Sequence, residues 1–278
     1  MARSQSARRR VMYAALLLLG FAAMPGIAQE VALPRERGSL QVGAFITDRA
    51  TTTRLDHSSG LGTDISLESD LGFNRSLSVF RLSGDFWIGE RHRVDVSMFD
   101  LSRSASRAID KTIEFGDQTF DIDTMVVSKN DLAILKSDYT YAVVNRERGY
   151  FGLTAGLYIA SAKLSLSEAT LGRAESEGLT APLPVLGIRG SYDMTDRLSF
   201  IGYTEWFSID TGDASGNLRD LYASVDYRLS ERWALGLAYN EVTMTINADE
   251  SSGFRGQLDW GYDGWLVYAK LRFGVTNR

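Results

Sequence analysis

Acyl or proton transfer needs a base beside a nucleophile, so the histidines and hydroxyls come first. The chain of 278 residues has two histidines and no cysteine. His57 stands in Leu55-Asp56-His57-Ser58-Ser59, where an acid, an imidazole and two hydroxyls follow one another. That order makes His57 a candidate catalytic base, with Asp56 to orient it and a serine to attack. Sequence neighbours rarely face one another productively, however, and the surrounding Thr, Ser and Gly read as a solvated loop. His92 lies in the charged string Gly89-Glu90-Arg91-His92-Arg93, which reads as a surface turn. The lack of cysteine removes disulfides, thiolate nucleophiles and Cys-ligated metals. Carboxylates are plentiful: Asp64, Glu68 and Asp70 form one group, and Asp110, Glu114, Asp117, Asp121 and Asp123 another. Hard cations prefer oxygen ligands, so Asp64, Glu68 and Asp70 are candidate metal ligands. Their spacing matches no EF-hand loop, and solvated loop charge is the stronger reading of them. No cofactor is expected.

The elements that position these residues are set by two patterns. Residues 1–28 have the make-up of a secretory signal peptide. Arg3, Arg8, Arg9 and Arg10 open it, an apolar run covers Val11 to Met24, and Gly26 and Ala28 are small residues before Gln29. The run is too short to span a bilayer as a helix. Cleavage after Ala28 removes four of the positive charges, taking the net charge from −5 to −9. An acidic exported chain is not suited to bind nucleic acid. Residues 29–37 then form a short N-terminal segment before the folded region, 38–278.

The second pattern is alternation with period two, the mark of a strand with two different faces. Trp265, Val267, Ala269, Leu271 and Phe273 alternate with Gly264, Tyr268, Lys270 and Arg272; Leu40, Val42, Ala44 and Ile46 alternate with Ser39, Gln41, Gly43 and Phe45. Ten such segments occur, near 38–48, 76–88, 92–103, 131–144, 149–164, 181–192, 197–209, 217–229, 232–246 and 258–274. Four connections are tight, around 89–91, 145–148, 193–196 and 230–231, and five are longer, around 49–75, 104–130, 165–180, 210–216 and 247–257. Ile65-Ser66-Leu67-Glu68 and Thr112-Ile113-Glu114-Phe115 also alternate, so the two longest loops are expected to extend strands. An even strand count with short turns at one end and long loops at the other is the organisation of a transmembrane β-barrel. The expected fold is all-β, a single closed antiparallel barrel of ten strands, with eight or twelve as alternatives. Phe86, Tyr141, Phe151, Tyr192, Tyr227, Trp233 and Phe273 fall on the apolar face beside the tight turns, and Trp206 toward a long-loop end, as interfacial girdles require.

The other face carries Arg81, Asp85, Arg93, Asp95, Lys136, Asp138, Arg189, Glu205, Asp220, Asp226, Arg228, Lys270 and Arg272, seven bases and six acids. Ten strands enclose a narrow lumen, and that many charges in it are costly unless paired. A salt-bridged, largely plugged interior follows.

In this pattern the chain resembles the small, single-chain outer-membrane β-barrels of Gram-negative bacteria. Four strings, Asp70-Leu71-Gly72-Phe73, Gly89-Glu90-Arg91-His92-Arg93, Asp100-Leu101-Ser102-Arg103-Ser104 and Ala181-Pro182-Leu183-Pro184-Val185-Leu186-Gly187, are similar to those of a poorly characterised group of proteobacterial outer-membrane barrels. The resemblance implies lipid, lipopolysaccharide and the outer-membrane assembly machinery as partners, and a monomer. Such barrels commonly end on an aromatic residue, whereas Phe273 here is followed by Gly-Val-Thr-Asn-Arg. The strings name no activity, and the motifs of the outer-membrane protease and phospholipase families are not found. The expected function is therefore a non-enzymatic structural or surface-binding barrel. A narrow channel for small solutes is the alternative, and an envelope hydrolase acting on lipid A or peptide the second.

Overall fold

The computed structural model describes residues 36–56, 62–168, 170–210, 214–248 and 256–275. The expected signal peptide lies outside them, as do residues 29–35 of the N-terminal segment and His57. Thirteen strands are present among the described residues. Ten are long: β1 (Gly38–Leu55), β3 (Leu77–Ile88), β4 (His92–Ala108), β7 (Met125–Arg146), β8 (Gly149–Glu168), β9 (Ala174–Asp193), β10 (Leu198–Asp210), β11 (Ala214–Arg228), β12 (Trp233–Ala248) and β13 (Gly256–Phe273). Each pairs antiparallel with its sequence neighbour among these ten, and β13 pairs with β1 from Gly38↔Phe273 to Leu55↔Gly256. The sheet therefore closes into a ten-stranded barrel. Closure gives the two terminal strands partners, which no strand in hydrocarbon can do without.

The faces follow the period-two pattern. On β13 Trp265 and Val267 point out, each 55% exposed, while Tyr268, Lys270 and Arg272 point in and are buried. The seven aromatic residues near the short turns are all exposed, as is Trp206 toward the other end. Apolar side chains of this size are each worth roughly 1.5–3 kcal/mol on removal from water. A continuous outward ring of them needs hydrocarbon around it.

Several boundaries differ from expectation, all at the long-loop end. β1 runs to Leu55, β4 to Ala108 and β8 to Glu168, while β7 starts at Met125 and β9 at Ala174. The third and fourth long connections accordingly shrink to residues 169–173 and 211–213. Alternation continues above the belt but with opposite sign. On β4 the outward residues change from Val96 and Met98 to Asp100, Ser102 and Ser104, and the inward ones from Arg93 and Asp95 to Phe99 and Leu101. There the barrel is built like a water-soluble sheet, apolar inside and polar outside.

The loop segments expected to lengthen strands behave differently from that expectation. Only β2 (Ile65–Ser66) joins the sheet, beside β1, and β5 (Ile113–Phe115) pairs with β6 (Gln118–Phe120) in a separate hairpin.

Candidate functional site

All thirteen alternation-selected charges project into the barrel, and they lie in layers. Nearest the short turns, Arg228 pairs with Asp193 at 2.5 Å, and Lys270 with Glu36 at 2.9 Å and Asp226 at 3.3 Å. Arg272 also pairs with Glu36, and the Tyr268 hydroxyl donates to Asp226. Arg93 bridges Asp85 and Asp95, at 3.4 and 2.7 Å, and Ser39 donates to Asp85. At mid-barrel, Lys136 stands among Glu205, Asp220 and Asp138 at 2.6, 2.8 and 3.5 Å. Arg189 reaches Asp138 at 2.9 Å, Glu205 at 3.4 Å and Asp95 at 3.5 Å. Arg81 donates to the Asn240 carbonyl oxygen at 2.8 Å, and the Asn240 amide donates to Asp220 at 2.6 Å. Lys136 and Arg189 also lie over the Tyr203 ring, 4.1 and 4.3 Å from its centre.

Inward glycines make room for this network. A Cβ on Gly156 would stand 2.2 Å from the Asp138 carboxylate, and one on Gly236 would stand 2.1 Å from the Tyr268 ring. Small residues opposite large ones are how a narrow barrel fills its interior.

Above the charges the lumen is closed again, this time by apolar packing. Phe45, Phe99 and Tyr262 meet edge to face at 5.3 to 6.2 Å between ring centres, and Trp260 packs on Tyr262 at 5.0 Å. Leu101, Leu132, Ile134, Val185, Val242 and Met244 fill the space around them. A cavity of about 50 Å³ remains among the mid-barrel charges, while a vestibule of about 570 Å³ opens at the short-turn end.

Closure, an outward apolar belt and a polar lower lumen together define the architecture. The chain is similar to the outer membrane protease OmpT of Escherichia coli, with 9% identity and a TM-score of 0.54 over 88% of this chain and 99% of that one. The fold is that of an outer-membrane β-barrel. Two further likenesses score below it. The translocator domain of the autotransporter NalP from Neisseria meningitidis has 12% identity and a TM-score of 0.42, covering 97% of this chain and 96% of that one. The attachment invasion locus protein Ail of Yersinia pestis has 11% and 0.37, covering 85% and 97%. No family model matches the sequence, and neither does any curated protein. In barrels of this type the short turns face the periplasm and the long loops the exterior.

The extracellular end carries a cap built from the first two loops. Leu67, Leu71 and Phe73 of the first pack with Ile109, Ile113, Phe115 and Phe120 of the second, and with Leu55, Val126, Leu164 and Leu166 from the barrel rim. Arg103 of β4 pins the first loop: it holds Glu68 at 2.9 Å with both side chains buried, and donates to the Asn74 carbonyl at 3.2 Å. Arg173 pins the second, at 2.9 Å from Asp121.

The candidate metal ligands are distributed within this cap. Glu68 faces Arg103 and accepts from the Thr51 N–H at 2.9 Å. Asp70 pairs with Lys111 at 2.7 Å, and Asp64 approaches Arg54 at 3.5 Å. Burial works to raise the Asp70 carboxyl, but Lys111 and the Ser66 N–H outweigh it and bring it below the usual range. Among the described residues no cluster of three or more His, Asp or Glu side chains is arranged to hold a metal ion. His92 is the first residue of β4 and is exposed; its Nδ1 lies 2.6 Å from the Tyr139 hydroxyl within the periplasmic aromatic girdle.

Two contributors escaped the sequence reading for different reasons. Glu36 precedes the first strand, so no alternation assigns it a face, yet it pairs with both Lys270 and Arg272 in the lowest layer. Asn240 carries no charge, so a search for charged side chains does not find it, although alternation on β12 places it inward.

Proposed function

We propose that the chain is a non-conducting outer-membrane barrel that presents its ordered extracellular cap as a structural or binding surface of the envelope. The observation that carries this is the double closure of the lumen: a layer of paired charges beneath a separate layer of interlocked aromatic rings. Either alone obstructs a narrow barrel; a solute path would need both displaced together. The cap supports the second half of the reading, because a loop pair with its own apolar cluster holds its outer face in one shape. Lipid, lipopolysaccharide and the assembly machinery are the partners this location supplies, and a single chain closes the barrel, in keeping with a monomer. A non-enzymatic role is part of this reading, supported by the place of His92 in the periplasmic aromatic girdle beside a tyrosine.

Reconstitution into planar bilayers tests the closure. Currents indistinguishable from the empty bilayer are expected, and a steady current scaling with protein would overturn the reading. Turnover of lipid A or of peptide by purified protein, lost in His57→Ala, would overturn the non-enzymatic part.

A further inference from the structure

The barrel wall is not hydrogen-bonded throughout. The β9–β10 ladder ends at Leu186↔Trp206, although β9 continues to Ala174 and β10 to Asp210. The cause lies in β9. Alternate residues of a strand direct their N–H groups toward the same neighbour, and Pro182 and Pro184 have no N–H to give. The ladder between β9 and β8 runs through both prolines without interruption, at Ile159↔Pro182 and Leu157↔Pro184. The two missing donors are therefore those that would have faced β10. A comparable stop between β3 and β4, at Arg81↔Phe99, has the first loop beside it, with Phe73, Asn74 and Glu68 all in contact with the Arg103 side chain. No described segment pairs with β9 above Leu186 on its β10 side.

This notch joins two apolar regions. On its outer side Leu186 and Trp206 are 61% and 51% exposed within the lipid-facing belt. On its inner side Leu183 and Val185 are buried in the aromatic–aliphatic layer, with Phe207 packed against it. Beside Trp206, one strand further round, Arg219 of β11 points outward at the level where the belt gives way to polar residues.

We propose that this notch seats an acyl chain of lipid A, with its phosphate against the Arg219 guanidinium. An acyl chain is the occupant because hydrocarbon abuts the notch outside and the lining is apolar inside. The glycolipid is preferred over a phospholipid because a guanidinium fork at the headgroup level matches a phosphate monoester presented beside several chains. The proposal rests on the outer-membrane reading and is independent of whether the lumen conducts.

Native mass spectrometry of the folded protein in an uncharged detergent, titrated with lipid A, tests it. Three proteins are compared: wild type, Pro182→Thr/Pro184→Thr, which restores the donors that would extend the ladder, and Arg219→Ala. The heat-dependent gel shift of each verifies a folded barrel. Wild type is expected to retain lipid A, and each variant to retain it at least about tenfold less. Equal retention by the folded proline variant would overturn the notch, and equal retention by Arg219→Ala would overturn the phosphate contact. Retention of phosphatidylglycerol as strong as that of lipid A would overturn the choice of occupant. Conductance measured on the same samples separates failure of this site from failure of the closed-lumen reading.

Discussion

Glu36 shows how much one side chain outside the strands contributes to the interior. It faces Lys270 and Arg272, both buried on the last strand, while the Arg37 N–H donates to the Phe273 carbonyl at 3.0 Å across the seam that closes the barrel. Burial works to raise this carboxyl, but the two cations overcome it and hold it at about 2, against an ordinary 4.5. A depressed acid stabilises the fold fully above its unfolded value and loses that contribution as pH falls through the folded one. Glu36→Gln should therefore lower stability near neutral pH by about 3 kcal/mol, the scale for breaking a buried pair. Its difference from wild type should shrink between pH 5 and pH 2. Denaturant midpoints read by tryptophan fluorescence at a series of pH values give both; a constant difference would show that the charge is not the cause. Asn240 is the uncharged counterpart, since Arg81 and Asp220 lean on it together. Replacing it by Leu should cost about 1–3 kcal/mol by leaving buried donors and acceptors unmet, measured by the same midpoints.

At the scale of elements, each strand serves two environments, and its side chains divide accordingly. The inward Gly156 and Gly236 belong to the lower, crowded half. Gly236→Ala should destabilise by about 1–3 kcal/mol, because a methyl there meets the Tyr268 ring. The same change in a Tyr268→Leu background should cost less, and a double-mutant cycle on the thermal gel shift measures the difference. The upper half and its loops should respond separately. Arg103→Ala leaves Glu68 buried without its cation and frees the first loop from the rim. Protease should then cut between residues 56 and 76 in reconstituted vesicles while the barrel keeps its heat-dependent shift. Simultaneous loss of both would show that cap and barrel fold as one unit. The strand ends at this end were not legible because inward residues such as Leu164 and Leu166 are apolar while outward Lys163 and Ser165 are polar. That is the sign reversal of the belt pattern. The tight-turn ends were legible to within about two residues, because one rule, apolar outward, holds up to the turn.

For the molecule as a whole, the two closures of the lumen act in series. Weakening the aromatic layer alone, by Phe99→Ala with Tyr262→Ala, should leave bilayer current at baseline because the Lys136 and Arg189 pairs still span the lumen. Adding Lys136→Ala and Arg189→Ala should produce a steady current. Current from the first pair alone would make the aromatic layer the sole barrier. The ten-strand count, barrel closure and the inward face of thirteen charges follow from period-two alternation and loop lengths, which are properties of the chain read in one dimension; Arg49, Arg103 and Asp193, also inward, lie outside that reading. Which charge meets which does not. Arg81 and Asn240 lie 159 positions apart, and Lys136 and Asp220 lie 84 apart. Their meeting depends on the stagger between strands and on the curvature that brings opposite walls within a few ångströms. The notch at Pro182 and Pro184 has the same origin. Two missing N–H groups are visible in the sequence, but which neighbour is deprived of them is decided only when the strand takes its place between β8 and β10.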